Sequence, residues 1–194
     1  DFQTLQFQAA LLELARTESN CLQDFLIHVT ALAAATVDVA RASVWVYNEA
    51  HTQMHCAHLF DRERNLCESG AVLEVQHAPR YFGALQEQRT IVASDIQMDG
   101  LTRELADYLT ARGIRSVLAV SIRREGKPIG MLALAATGEP RHWKMDEQNF
   151  CASLADLTAL ALETDRRHLA ERELRKSLGN LQLFFSQSLD GFFF

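Results

Sequence analysis

Residues 115–137, RSVLAVSIRREGKPIGMLALAAT, carry the strongest strand signal in the chain. Two apolar, β-prone runs flank the polar stretch REGK, where Gly126 can adopt the left-handed backbone of a tight turn. Both faces of the first run are largely apolar, with Val117, Ala119 and Ser121 on one face and Leu118, Val120 and Ile122 on the other. A strand covered on both faces lies inside a sheet. The segment therefore predicts an antiparallel hairpin at the centre of the fold.

Further strands and helices are predicted on both sides of this hairpin. Alternation at 41–50 and 53–60 predicts a second hairpin, and RTIVASDI at 89–96 predicts a short strand. Helical spacing of apolar residues appears at 2–14, at 22–33, around 79–88 and at 101–112, where Gly113 is a candidate C-cap. Helices outside a mainly antiparallel set of strands indicate an α+β domain.

The C-terminal region predicts one uninterrupted helix from about 145 to 188. Its first half has a core-facing apolar stripe, whereas its second half is nearly all charged. Leu174, Leu178, Leu181 and Phe185 follow the 4-3-4 spacing of a coiled coil, and Leu169 lies outside that register. Roughly 40 helical residues span about 60 Å, more than a domain of this size can cover. The distal half is therefore expected to pair with another chain.

Composition excludes several classes of protein. The 194 residues have a formal net charge of -6, which argues against a nucleic-acid partner. The four cysteines have no CxxC spacing, so no metal site is expected. No apolar run reaches the ~18 residues of a membrane span, and no signal peptide is visible. This piece is expected to be cytoplasmic without direct membrane contact, although a longer parent could be anchored.

Several local motifs together resemble the bacterial sensory type of GAF domain. They are RYF.AL in the 79–88 helix, a strand ending at Asp95, YL...GI.S.L from 108 to 118, G..IG.L in the central hairpin, and PR.W before the last helix. The resemblance implies a central antiparallel sheet of about five to six strands, with the terminal helices on one face and an irregular pocket segment on the other. This sequence departs from the family at Ser121, where Pro is usual, and at Lys144, where Ser or Thr often caps the helix.

The resemblance divides the chain into four parts. Residues 1–18 are interpreted as a linker helix that helps to form a dimer, 19–164 as the GAF domain, and 165–183 as a signalling helix. Residues 184–194 are interpreted as the start of a truncated PAS domain. The stretch LFFSQSLDGFFF, which begins at 183, resembles the first helix and first strand of such a domain, and that strand would include Phe192, Phe193 and Phe194. The relay stripe is expected to comprise Leu162, Leu169, Leu174, Leu178 and Leu181.

The implied role is sensory rather than enzymatic. No GxSxG, P-loop or HExxH motif occurs, so this fragment is not expected to be an enzyme. A small ligand would change the packing of the terminal helices in a homodimer. The long helix would pass that change to a PAS domain and to an effector, such as a diguanylate cyclase, a cyclic-di-GMP phosphodiesterase or a histidine kinase. The alternative is a ligand-free dimerisation or spacer module.

The candidate pocket lies between the central strands and the 61–112 segment. Small side chains on one face, Ala119, Ser121, Ala133 and Ala135, would leave room for a cavity. Candidate pocket residues are Trp45, His58, Tyr81, Asp95, Arg103, Tyr108 and Ser121. Each also has a structural interpretation: Trp45 and Tyr81 as core, Arg103 as a solvated charge, and Asp95 as a cap for the loop before the 101–112 helix.

No cofactor is expected. In one subgroup of bilin-binding relatives, a Cys–His pair follows the strand-end aspartate by nine and ten residues, and those positions here are Glu104 and Leu105. Covalent bilin is therefore not expected. Haem is not expected either, because His55, His58 and His77 are more simply interpreted as surface or hydrogen-bonded strand histidines. The cyclic-nucleotide signature of mammalian-type members is not recognisable, which leaves an unspecified small molecule.

Overall fold

A computed structural model describes residues 2–17, 19 and 21–190. The chain divides into two compact units, Asp1–Ala159 and Leu160–Phe194. The helices are α1 Phe2–Arg16, α2 Leu22–Val37, α3 Pro79–Glu87, α4 Ala106–Thr110 and α5 Met145–Asp190, with 3₁₀ turns at Val75–His77 and Thr102–Leu105. The strands are β1 Arg41–Tyr47, β2 Gln53–Asp61, β3 Leu66–Glu68, β4 Val72–Glu74, β5 Thr90–Ala93, β6 Ile114–Arg124 and β7 Lys127–Thr137.

The first unit contains an antiparallel sheet with the strand order β3-β2-β1-β7-β6-β5, and β4 also pairs with β2. The sheet has seven strands, because the short β3 and β4 join the five longer ones. The predicted central hairpin is confirmed as β6 and β7. Its turn places both Glu125 and Gly126 at positive φ, 51° and 77°, as a type I′ turn requires.

The terminal helices cover one face of this sheet, as expected. Helix α2 contacts β1 and β2 and buries Leu26, Val29, Ala33 and Val37. The first turns of α5 bury Phe150, Cys151 and Leu154, and the ring of Phe150 stacks on Phe7 of α1 with 4.7 Å between centroids. The opposite face is covered by α3, α4 and the intervening loops. This second layer forms an apolar cluster with Ile114, Val117, Ala119, Met131 and Ala135 of β6 and β7.

A bulge at Ala57 decides which residues of β2 face each layer. Val44 pairs with His58 and Trp45 pairs with Cys56, so Ala57 has no partner in β1. Side chains alternate along a strand, so this extra residue inverts the alternation. Met54 and Cys56 belong to the pocket-side cluster, whereas His58 lies within hydrogen-bond reach of Gln23 of α2.

The PR.W motif connects the first unit's helices to its sheet. The Arg141 guanidinium donates to the carbonyl of Val37, at the end of α2, and to the carboxylate of Glu147 in α5. Glu147 is 3 % exposed, and its second oxygen accepts the Lys144 backbone N–H at 2.9 Å. The helix therefore keeps half of a capping box although Lys144 has no capping oxygen.

The segment between β5 and β6 is less regular than predicted. Strand β5 ends at Ala93, and the expected helix at 101–112 is a 3₁₀ turn followed by the short α4. Asp99 caps this turn by accepting the backbone N–H groups of Leu101 and Thr102. Gly113 has φ 70°, as a left-handed C-terminal residue does.

In the second unit, α5 continues to Asp190, which agrees with the predicted uninterrupted helix. Glu163 pairs with Arg167 at 3.2 Å in the favourable i,i+4 order. Exposed apolar residues follow, among them Leu169, Leu174, Leu178, Leu181 and Phe185, whereas Leu162 is partly buried. Residues 184–190 are helical, and Phe192–Phe194 of the predicted PAS strand lie outside the described residues. No described helix is long and apolar enough to cross a membrane.

Gly130 gives a direct test of the packing between β7 and β1. A Cβ at this position would lie only 2.2 Å from the carbonyl oxygen of Trp45. We expect Gly130→Ala to lower the free energy of unfolding by about 2–3 kcal/mol, because backbone atoms must move apart. The matched control is Gly83→Ala in α3, where a Cβ meets no described atom within 4 Å. That change should raise stability by about 0.5–1 kcal/mol. Urea unfolding measures both, and a neutral Gly130→Ala would contradict the predicted clash.

Candidate functional site

An apolar cavity of about 60 Å³ lies between the sheet and the layer of α3 and α4. The sheet supplies its floor, where the small side chains of Ala133 and Ala135 leave space. The other lining residues come from β1, β2, β4, β6, β7 and the helical layer: Arg41, Ser43, Trp45, Leu59, Leu73, Tyr81, Leu105, Tyr108, Leu109, Arg112, Ile114, Val117 and Met131. Most of these groups are apolar, so the cavity favours apolar atoms.

Three aromatic side chains shape the cavity, and the polar atoms of two of them are directed to protein partners. The indole N–H of Trp45 donates to Ser43 Oγ at 2.9 Å, and the Tyr81 hydroxyl lies 3.7 Å from the sulfur of Met131. The ring of Tyr108 meets Trp45 edge-on, with 6.5 Å between centroids. Burial raises the pKa of both tyrosines, so both phenols are neutral at physiological pH.

Two arginines form the mouth of the cavity. The Arg112 guanidinium lies 3.6 Å above the Tyr108 ring and donates to the Tyr108 carbonyl at 3.1 Å. Arg41 donates to Asp61 at 2.8 Å and to the Arg112 carbonyl at 2.7 Å. Burial alone would raise the pKa of Asp61. The Arg64 backbone N–H and the Arg41 guanidinium nevertheless hold this pKa below its usual value. Asp61 is therefore ionised and already forms an ion pair with Arg41.

A polar recess of about 530 Å³ adjoins this mouth. It shares Arg41, Leu59 and Arg112 with the inner cavity, so the two spaces meet at these side chains. Its remaining lining residues are Asp61, Arg64, Glu68, Ala111 and Gly113. The site as a whole thus has a small apolar interior and a larger charged entrance.

Of the predicted pocket residues, the structure brings together Trp45, Tyr81 and Tyr108. The prediction for His58 is wrong, because the bulge at Ala57 turns this side chain toward α2. There Gln23 Nε2 lies 3.2 Å from its Nδ1, and its Nε2 has no partner within the described part of the chain. Burial lowers the pKa of His58, which favours the neutral ring.

Asp95, Arg103 and Ser121 also lie away from the cavity lining. Asp95 pairs with Arg115 at 2.7 Å and accepts the Gln97 N–H, so it stabilises its own loop. Arg103 is exposed on the 3₁₀ turn, which agrees with its alternative interpretation as a solvated charge. Ser121 accepts a hydrogen bond from Arg123, and that guanidinium also binds the last carbonyls of α3.

Sequence reasoning missed the arginines at the mouth. Arg41 begins a strand, and Arg112 follows a short helix in an irregular segment, so neither has a local pattern that indicates a site. The one available signal was alternation in β1, which places Arg41, Ser43 and Trp45 on one face. The predicted contribution of small residues is confirmed for Ala133 and Ala135.

None of the four cysteines, all of which lie within the described residues, lines the inner cavity or the adjoining recess. Glu104, at one position where some bilin-binding relatives have Cys, accepts the backbone N–H groups of Arg80 and Tyr81 at the start of α3. Burial, aided by the charge of Glu68, raises the pKa of the Cys56 thiol to about 11, and Cys67 is exposed on β3. No three His, Cys, Asp or Glu side chains cluster as metal ligands within the described residues.

Comparisons with known proteins agree with this architecture. The sequence profile of the GAF domain family matches residues 22–162. No curated protein matches the chain. A far-red absorbing domain with bound biliverdin IXα is 16 % identical, with a TM-score of 0.72 over 83 % of this chain and 99 % of that one.

Other solved structures share the fold at similarly low identity. The GAF domain of a phosphoenolpyruvate-protein phosphotransferase from Coxiella burnetii is 15 % identical, with a TM-score of 0.70 over 86 % of this chain and 98 % of that one. The PixJ GAF domain of Thermosynechococcus elongatus, in its blue-light absorbing form, is 20 % identical, with a TM-score of 0.64 over 80 % and 91 %. At these identities the likeness establishes the fold alone.

The buried position of His58 predicts a dependence of stability on pH. Its pKa in the folded chain lies below the ~6.5 of an unfolded chain, so acid protonates the unfolded state first. The unfolding free energy should therefore fall as the pH decreases from about 6.5 toward the folded-state pKa. We expect His58→Gln to lose less stability than the wild type between pH 7 and 5.5, as measured by urea unfolding.

The control for this test is His142→Gln, because His142 is exposed. It should show the same loss between the two pH values as the wild type. An unchanged loss in His58→Gln would contradict the assignment of the acid sensitivity to this buried ring.

Proposed function

The chain belongs to the GAF domain family, and we propose that it is a sensory domain of a multidomain bacterial signalling protein. A small molecule binds in the cavity beneath Trp45, Tyr81 and Tyr108, and its binding is relayed to α5. The observation that supports this role is a series of contacts that runs from the cavity, through β6, to Arg141 and the first turn of α5. Residues 114–117 of β6 include both cavity-lining side chains and the serine that contacts Arg141.

The relay begins at the cavity and ends at the first turn of α5. Ile114 and Val117 line the cavity, and the bulge at Arg115 turns Ser116 toward the other face of the sheet. Ser116 Oγ donates to the Ser94 carbonyl at 2.6 Å and accepts the Arg141 backbone N–H at 2.7 Å. A ligand that displaces this part of β6 would therefore move Arg141.

Movement of Arg141 would reach two helices at once, because its side chain binds the Val37 carbonyl of α2 and the Glu147 carboxylate of α5. Packed interfaces of this kind change between discrete arrangements rather than deform continuously. We propose that α5 passes the change to a PAS domain that begins near residue 184, and from there to an effector such as a diguanylate cyclase, a phosphodiesterase or a histidine kinase.

A ligand-free dimerisation or spacer module is the second candidate. The inner cavity of about 60 Å³ favours it, because pockets for drug-sized molecules occupy roughly 300–1,000 Å³. The adjoining recess of about 530 Å³ favours the sensor, since a ligand can extend from the cavity into it. The two candidates predict opposite results in a ligand screen.

The sensory proposal is tested by a screen of metabolites followed by hydrogen exchange. A ligand at 100 times its Kd should stabilise the chain by about 2.7 kcal/mol, seen as a higher melting temperature. It should also change the exchange of amides 148–154 in α5. We expect Ser116→Ala to retain ligand binding but lose that change, because the link from β6 to Arg141 is broken.

The control variant is Ser153→Ala, which removes an exposed hydroxyl bonded only to its own helix. It should retain both the binding and the exchange response. If no compound shifts the melting temperature, the spacer candidate replaces the sensor. If Ser116→Ala transmits the response like the wild type, the relay through this serine is wrong.

We also propose that the chain is a homodimer assembled through α1 and the distal part of α5. Leu174, Leu178 and Leu181 are all more than half exposed and keep coiled-coil spacing, so a second copy would bury them. Sedimentation equilibrium at tens of micromolar should show a dimer, and Leu174→Glu with Leu181→Glu should give a monomer. Leu183→Glu, which changes an exposed leucine outside that spacing, should remain dimeric. A wild-type monomer would refute the proposed assembly.

A further inference from the structure

The geometry points to a small amphipathic monoanion as the ligand, with a carboxylate at Arg112 and a short apolar tail in the inner cavity. This inference rests on the proposed sensory function and specifies the chemistry of the same site. It follows from three features: the apolar lining, the limited inner volume and the charge arrangement at the mouth.

The lining and the volume define the tail. A water molecule needs about 10–15 Å³ of such space, so a cavity of about 60 Å³ holds roughly four to six groups of that size. Walls formed by Leu73, Leu105, Leu109 and Met131 offer such groups few hydrogen bonds. A hydrocarbon tail of about four to six carbons fills this space, whereas a polar group would lose its hydration there.

The mouth defines the head group. Three arginines, Arg41, Arg64 and Arg112, face two carboxylates, Asp61 and Glu68, around the recess. Asp61 is already engaged by Arg41 at 2.8 Å and lies 4.0 Å from the Arg64 side chain. Arg112, by contrast, has no carboxylate within ion-pair distance among the described residues. Its ion-pairing capacity is therefore available to a ligand.

Arg112 is also held in place before any ligand arrives. Its guanidinium rests 3.6 Å above the Tyr108 ring, its Nη1 donates to the Tyr108 carbonyl, and its own carbonyl accepts from Arg41. An arginine fixed in this way binds a carboxylate at a lower entropic cost than a freely moving one. A ligand with its tail in the cavity must place its head near this guanidinium, because Arg112 lines both spaces.

Glu68 makes the site selective for a single negative charge. It lines the same recess, so a second anionic group on the ligand would meet a carboxylate there. A cationic head would meet the three arginines. A monocarboxylate avoids both repulsions, since its one charge lies at the Arg112 side of the mouth.

The test is a titration of the 194-residue chain with straight-chain acids from acetate to octanoate. Trp45 lines the cavity, so its fluorescence reports binding, and thermal shift gives an independent measure. Affinity should rise about fourfold per added methylene, as expected for burial of hydrocarbon. The rise should stop at a tail of about four to six carbons. Hexanamide and hexylamine should bind at least tenfold more weakly than hexanoate.

Two variants distinguish binding of the carboxylate at Arg112 from a general effect of positive charge on the protein. Arg112→Gln should reduce the preference for hexanoate over hexanamide at least fivefold, whereas Arg103→Gln removes an exposed arginine away from the cavity and should leave it unchanged. Ala133→Leu should stop the rise at a shorter tail, because the larger side chain occupies the floor of the cavity.

Contrary results would overturn either the monoanion assignment alone or the sensory function with it. Equal binding of hexanoate and hexanamide, or equal losses in the Arg112 and Arg103 variants, would overturn the monoanion assignment. So would a failure of every acid at 10 mM while another compound in the metabolite screen stabilises the chain; in these cases the sensory function stands. If neither the acids nor any metabolite shift the melting temperature, both the ligand class and the sensory function are overturned.

Discussion

The Arg141 side chain links α2 to α5, and its backbone links these helices to the sheet. The guanidinium binds the end of α2 through the Val37 carbonyl and the start of α5 through Glu147. The backbone N–H of Arg141 donates to Ser116 Oγ of β6 and to the Ser94 carbonyl. Glu147 is 3 % exposed, so loss of Arg141 would leave a buried carboxylate without its partner. Breaking a buried pair in this way typically costs 3–5 kcal/mol. The start of α5 is therefore held in part by this one side chain.

Two bulges determine which residues of β2 and β6 face the cavity and which face the terminal helices. The extra residue Ala57 in β2 turns His58 toward α2 and Leu59 toward the cavity. The extra residue Arg115 in β6 lets Ile114 line the cavity while Ser116 supports Arg141. Because side chains alternate with a period of two, regular strands could not make these assignments. The bulges thus allow one sheet to line the cavity on one face and to contact the terminal helices and Arg141 on the other.

The sequence was sufficient for the architecture and for part of the site. Long-range patterns, such as the alternation in β6 and β7 and the helical run of α5, depend on many residues, so single irregularities do not obscure them. The aromatic and small cavity residues were predicted because they lie on regular strands or in a recognisable helix. His58 was misplaced because a bulge has no sequence signature of its own here. Arg112 was missed because its role depends on contacts with Tyr108 and Arg41, which only the folded chain creates.

The N-terminus of α5 is coupled to Arg141 through the carboxylate of Glu147. Lys144 has no capping hydroxyl, so Glu147 supplies only the other half of the capping box. It accepts the Lys144 N–H with one oxygen and a hydrogen bond from the Arg141 guanidinium with the other. The start of α5 is thus stabilised by the same carboxylate that holds Arg141. A shift of Arg141 would weaken a helix cap as well as an ion pair, and caps contribute about 1 kcal/mol. The stability of the first turn of α5 is therefore connected, through Glu147, to Arg141 and to Ser116 of β6.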